Sequence, residues 1–273
     1  MHSHHQPPGM PSHHQPGMPS RRHSSDRRSR PTRVLAGVTV LATLALTGCS
    51  LGGAAAPSTA TNPPVRCGAV TEVLLVTHDS FALSEQERAR FTALTGCTLT
   101  VLASGDAGAL TNKLVLTKSS PIGDAVFGID NTFASRAASE GVLADISPAL
   151  PSGAAIHALS GPAAAKLAPI DYGDVCVNVD LAWFAAKSLP LPTTLDDLIQ
   201  PAYRGLFVTP GATTSSPGLA FLLATIGAKG EGWQDYWRAL MANDTKLTSG
   251  WSDAYAVDFS GGEGKGSRPI VLS

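Results

Sequence analysis

Between residues 70 and 140, short apolar runs alternate with capped, amphipathic stretches, and that order leaves few folds open. Residues 70–77 read as a strand. Ser84 followed three residues later by Glu87 is a capping-box signature for a helix over 84–94. Strands over 98–102 and 125–128 and helices over 107–116 and 132–140 continue the pattern. A β-α-β-α-β order implies a parallel sheet covered on both faces, hence an α/β fold. Ligands of such sheets sit off the carboxyl ends of the strands. Three polar clusters fall there: His78-Asp79-Ser80-Phe81, Ser104-Gly105-Asp106 and Ile129-Asp130-Asn131. Asp and Asn also favour turns and caps, so each cluster alone has an ordinary structural explanation.

A second block begins at Ile170. Asp171-Tyr172-Gly173 leads into a strand over 175–179, and residues 192–199 form a turn opening a short helix. A strand over 206–209 precedes the hydroxyl-rich loop Pro210 to Gly218, which opens a helix over 219–226. Ser215 and Ser216 at that helix start suit an anion, and simple capping is the plainer alternative. Trp233 and Trp237 lie one turn apart on a helix over 233–241 and are expected in the core. Trp251, between Gly250 and Ser252 in a polar stretch, is placed differently: an aromatic face there can stack on a cationic ring.

The N-terminus carries an address. Six arginines between Arg21 and Arg33 precede a 13-residue apolar run over 34–46 and then Leu46-Thr47-Gly48-Cys49. A basic region, a short apolar region and small residues before a cysteine make a secretory signal. The run is too short to span a bilayer, which needs about 20 residues. Leu-Thr-Gly-Cys looks like a bacterial lipobox, so Cys49 is expected to carry lipid. Residues 1–48 are expected to be a disordered, His- and Pro-rich start plus this signal. Residues 49–64 are expected to be a lipidated tether. The export route, general or twin-arginine, stays open.

Six of the 20 basic and one of the 21 acidic residues lie in 1–48, so the remainder carries a formal charge of −6. An acidic body argues against nucleic acid, whose affinity rests on Lys and Arg neutralising phosphates. Cys67 and Cys97 each precede an apolar run. If the two runs are neighbouring parallel strands, the cysteines share one end of the sheet. An exported protein can oxidise them to a disulfide, the alternative being two free thiols. Cys176 sits in an apolar strand and is expected buried.

Five segments then resemble a family. Thr77-His78-Asp79-Ser80-Phe81, Gly128-Ile129-Asp130-Asn131, Ile170-Asp171-Tyr172-Gly173, Thr214-Ser215-Ser216-Pro217-Gly218-Leu219 and Gly250-Trp251-Ser252-Asp253-Ala254-Tyr255 are similar to those of thiamine-binding proteins of ABC importers, in the same order. The resemblance implies a two-lobed type II periplasmic-binding-protein fold with a solute in the cleft. It implies lobes over 65–169 and 170–273, thiamine or its phosphates as ligand, no cofactor, no catalysis, and permease and ATPase partners. It places the protein outside the cytoplasm, lipid-anchored to the outer face of the cytoplasmic membrane or periplasmic, as a monomer. Carried over residue by residue, Asp79, Asp106 or Asp130 would balance the thiazolium or accept the exocyclic amine. Asn131 stands beside them. Tyr172 and Trp251 would supply ring faces, Ser215 and Ser216 the hydroxyethyl or phosphate contacts, and Tyr255 is a further ligand-binding position.

Two departures stand out. His78 occupies a position where some members have tyrosine. The sequence also stops at Ser273, where family members continue with a segment returning to the first lobe. The fold is therefore expected to be incomplete at its C-terminal end, with an exposed strand edge, weak thiamine binding and a tendency to aggregate. The same scaffold could carry iron, a polyamine or sulfate instead. A hydrolase is disfavoured: no G-x-S-x-G occurs, and only His78 and His157 follow the signal.

Overall fold

The computed structural model describes residues 67–263 and 265–273. The signal, Cys49 and the tether over 49–64 lie outside them. The first sheet is built from Glu72–Thr77 (β1), Thr98–Ala103 (β2) and Ala125–Phe127 (β3), in the order β2-β1-β3. Both pairings are parallel, with Leu75 opposite Val101 on one side and Ala125 on the other. Parallel neighbours need crossover helices, and Glu85–Thr95 (α1) and Ala107–Leu116 (α2) supply them.

Local chemistry sets these helix ends. Ser84 Oγ accepts the Glu87 N–H at 3.2 Å, and Glu87 accepts the Ser84 N–H at 3.0 Å, a complete capping box. The Ser84 hydroxyl, donating to Glu87 Oε2 at 2.8 Å, and then the Ser84 N–H hold the Glu87 carboxyl below the usual glutamate range. Gly96, at φ 78°, closes α1 in the left-handed conformation. Ala134–Ser139 (α3) starts two residues later than expected, because Asp130 accepts the Thr132 N–H and hydroxyl at 3.0 and 2.6 Å and holds a turn. Cys67 and Cys97 are joined by a disulfide, Cα atoms 5.8 Å apart, at the amino end of β2.

The second sheet comprises Val177–Val179 (β4), Phe207–Pro210 (β5), Lys246–Thr248 (β6) and Ile270–Leu272 (β7), ordered β4-β7-β5-β6. β5 pairs in parallel with β6 and β7, while β4 runs antiparallel to β7. Around it stand Leu181–Lys187 (α4), Ser216–Lys229 (α5) and Trp233–Ala242 (α6). α5 begins three residues before the expected start, since Pro217 has its φ preset for the first helical turn. One core unites Phe184, Phe207, Phe221, Tyr236, Leu240, Ile270 and Leu272. Tyr236 is deep enough that burial raises its phenol pKa, and its hydroxyl donates to Leu195 O at 2.7 Å. Trp237 packs on this core, as expected.

A second core, Val76, Ala107, Leu110, Ile129, Phe133 and Ala137, belongs to the first sheet, and Leu219 of α5 packs against it. One expectation fails: Cys176 is exposed. β4 is an edge strand, and Cys176 lies just before it, paired with the last residue through Cys176 N to Ser273 O at 2.7 Å.

Candidate functional site

A cavity of about 1480 Å³ runs along edge strand β3, from the loop before it to the carboxyl ends of β1 and β3, and is bounded also by parts of residues 141–174, the start of α5 and Trp251. Its end beyond β1 and β3 is the side to which a parallel sheet directs its strand ends. His78, Ser80 and Phe81 follow β1, and Gly128, Asp130 and Asn131 follow β3. His78 and Phe81 both pack on Phe127, with ring centroids 5.5 and 4.9 Å apart. Gly128 has φ 104°, and a Cβ there would collide with the His78 imidazole, so only glycine fits beneath that ring. His78 Nδ1 lies 3.2 Å from Ser80 Oγ.

On the opposite side stand Ser216, Pro217 and Trp251. Trp251 stacks on Tyr255, centroids 5.0 Å apart and planes 11° off parallel. Its indole N–H donates to Ser273 Oγ at 2.8 Å. Ser215 and Ser216 are both buried, and neither hydroxyl has a hydrogen-bond partner. Simple capping does not account for them, because Ser215 makes no side-chain cap bond. An unpaired buried hydroxyl costs stability unless something completes it, and of the two residues only Ser216 is on the cavity lining.

Tyr172 is exposed along one wall and stacks on His157, centroids 4.3 Å apart at 15°. Five carboxylates line the cavity (Asp106, Asp124, Asp130, Asp171 and Asp174) against two lysines. Lys166 is paired with Asp145 at 2.8 Å, and Lys118 donates to Glu140 O at 3.2 Å. The field therefore favours a cation.

Asp106, Asp130, Asn131, Tyr172, Ser216 and Trp251 thus share one cavity. Asp79, Ser215 and Tyr255 are not on its lining. Asp79 is exposed beside it and accepts from Ser252 Oγ at 3.3 Å. Ser215 is buried behind Ser216, and Tyr255 backs Trp251. Asp106 lines the cavity, yet both its oxygens already accept backbone N–H groups. The run Ala-Ile-His-Ala-Leu around His157 reads as an ordinary helical face. His157 sits in a short 3₁₀ turn, and nothing in the run signals its stacking partner.

The profile of the family described as bacterial extracellular solute-binding protein matches residues 120–266. The "Thiamine-binding periplasmic protein" of Brucella abortus is 30% identical over 211 residues, 74% of this chain and 58% of that protein. The protein of the same description from Salmonella typhimurium is 28% identical over 204 residues, 72% of this chain and 58% of its own length. This chain therefore spans less than two thirds of either relative. A solved structure described as "Periplasmic thiamin binding protein" superposes with a TM-score of 0.60 at 26% identity, over 77% of this chain and 64% of that one. The periplasmic binding protein P5PA superposes at 0.61 with 17% identity, a likeness of fold alone. The chain belongs to the bacterial extracellular solute-binding protein family, with the α/β type II periplasmic-binding-protein fold of proteins that hold solutes rather than transform them.

Proposed function

We propose that this chain is the solute-capturing component of an ABC-type importer and that its solute is thiamine or a thiamine phosphate. In this reading the lobes span 65–169 and 170–273, and lipid on Cys49 tethers the protein to the outer face of the cytoplasmic membrane. One observation carries the choice of solute: Trp251, Tyr172, Asp130 and Ser216, whose buried hydroxyl has no protein partner, line a single acidic cavity. Thiamine needs each of these. Its thiazolium is a flat cation that favours an aromatic face and a nearby carboxylate. Its hydroxyethyl arm, free or phosphorylated, needs a donor at the far end. The printed descriptions of the relatives support the same solute.

The phosphate ester suits the start of α5 specifically. Helix N-termini present free N–H groups and a positive dipole end to anions. The N-terminus of α2 is the other candidate, but Gly108 and Ala109 already donate to Thr214 O at 2.9 and 3.2 Å.

The test is titration of the full chain with thiamine and with thiamine monophosphate, followed by calorimetry and tryptophan fluorescence. Saturable heat and quenching are expected, with Trp251→Ala weakening both ligands more than tenfold. Ser216→Ala should weaken the phosphate ester more than thiamine. No signal from either compound at millimolar concentration overturns the solute assignment. Incorporation of labelled palmitate that disappears in Cys49→Ala tests the tether.

A further inference from the structure

Asp106 is buried, and its two carboxylate oxygens are spoken for. Oδ1 accepts the Ala107 N–H at 2.7 Å, and Oδ2 accepts the Trp251 N–H at 2.8 Å. Those donors belong to different halves of the molecule: Ala107 opens α2 over the first sheet, and Trp251 follows β6 of the second. The next two N–H groups of α2, from Gly108 and Ala109, both reach Thr214 O. Thr214 lies in the loop that delivers Ser215 and Ser216. One helix N-terminus therefore grips two of the segments by which the second half faces the cavity.

Glycines at the contact allow this approach. A Cβ on Gly108 would lie 2.7 Å from Thr213 O and 2.8 Å from Thr214 C. A Cβ on Gly250 would lie 3.2 Å from the Asp106 Cβ. Both are closer than ordinary van der Waals contact, so Gly108 meets the Thr213–Thr214 backbone, and Gly250 the Asp106 side chain, only because neither carries a side chain. Each bond of the grip has protein groups at both ends.

We propose that Asp106 and the N-terminus of α2 form a clamp between the lobes, and that Asp106 is a positioning residue for Trp251 rather than a counter-charge for the solute. Its lone pairs point at amides, so a bound cation would have to displace a hydrogen bond to use them. Asp130, with one oxygen in a local turn, is the better-placed carboxylate.

The clamp can be tested without solute. The chain has four tryptophans, so ¹⁵N-tryptophan labelling gives four backbone amide signals, and Trp251→Phe identifies the one of interest. The Trp183 amide is an internal control, because it is held by another carboxylate, Asp180 Oδ1, at 3.0 Å. Asp106→Ala and Asp106→Leu should each speed hydrogen exchange at Trp251 more than tenfold and leave Trp183 unchanged. Gly108→Ala should do the same, through displacement of the Thr213–Thr214 backbone. If Asp106→Ala accelerates Trp183 equally, the variant has unfolded, and Asp106→Leu, of similar shape and with no acceptor, decides. Unchanged Trp251 exchange in Asp106→Leu overturns the clamp. So does loss of thiamine binding in Asp106→Asn with Trp251 still protected, since that is the signature of a counter-ion. A parent chain that fails to bind thiamine leaves the exchange result standing and counts only against the proposed solute.

Discussion

Carboxylates in this chain differ sharply in what they face, although the sequence shows only Asp each time. Asp180 accepts from Ser260 Oγ at 2.6 Å and from the Trp183 N–H at 3.0 Å. The Ser260 hydroxyl, more than the backbone N–H groups, holds its pKa below the ordinary 3.8, against a smaller opposing effect of burial. A group depressed on folding adds stability above its unfolded pKa and loses it as pH falls through the folded one. Urea unfolding between pH 5 and pH 2 should therefore show stability falling as Asp180 protonates, and Asp180→Asn should give a shallower fall. Ser260→Ala should raise the Asp180 pKa, read by NMR titration. Asp106 and Asp130 show the same dependence on context. The strand-end rule puts both at the correct rim from sequence alone. Which of them keeps an oxygen for a ligand depends on Trp251, 145 residues away from Asp106 in the chain.

At the scale of elements, sequence reading works best where the cause is local. The capping box fixes α1, and apolar runs bounded by polar clusters fix β1, β2 and α2 to within two residues. It works less well where a partner decides the boundary. β4 shrinks to three residues because only Val177–Val179 find β7 to pair with. Cys176, just outside that pairing, stays exposed. β7 itself is short, yet Ile270, Val271 and Leu272 are almost wholly buried, because β4 and β5 flank it. Ile270→Ala should cost about 2–5 kcal/mol, through lost apolar contact and the cavity left behind. Chemical denaturation checks it, and a loss below about 1 kcal/mol would mean that β7 is not central to the second core. The Trp251–Tyr255–Phe259 series also needed the fold. An i, i+4 spacing puts side chains on one helical face. Here a π-helical segment, Asp253–Asp258, carries the stack from the cavity to the buried Phe259.

At the scale of the molecule, two sheets with separate cores meet across a cavity. Leu219 and the grip of α2 on Thr214 and Trp251 join them. The Cys67–Cys97 disulfide belongs to the first sheet alone. Closing a separation of 30 residues should stabilise by about 3–4 kcal/mol in the chain-entropy model. A Cys67→Ser/Cys97→Ser double variant should unfold earlier in denaturant by that amount, with Trp251 exchange unaltered in native buffer. A double variant that also frees Trp251 would show that the first sheet's amino end, far from the strand ends at the cavity, helps to hold the clamp.

The sequence by itself determined the alternation of strands and helices, the parallel first sheet, the polar strand ends and the acidic balance of the body. Each depends on residues near one another in the chain, through side-chain period, capping and charge. Only the tertiary structure decided which hydroxyls remain unpartnered, which carboxylate is consumed by backbone amides and where His157 finds Tyr172. Those outcomes depend on partners brought from distant segments into hydrogen-bonding or stacking contact, and no local pattern encodes the identity of a partner that arrives only when the chain has folded.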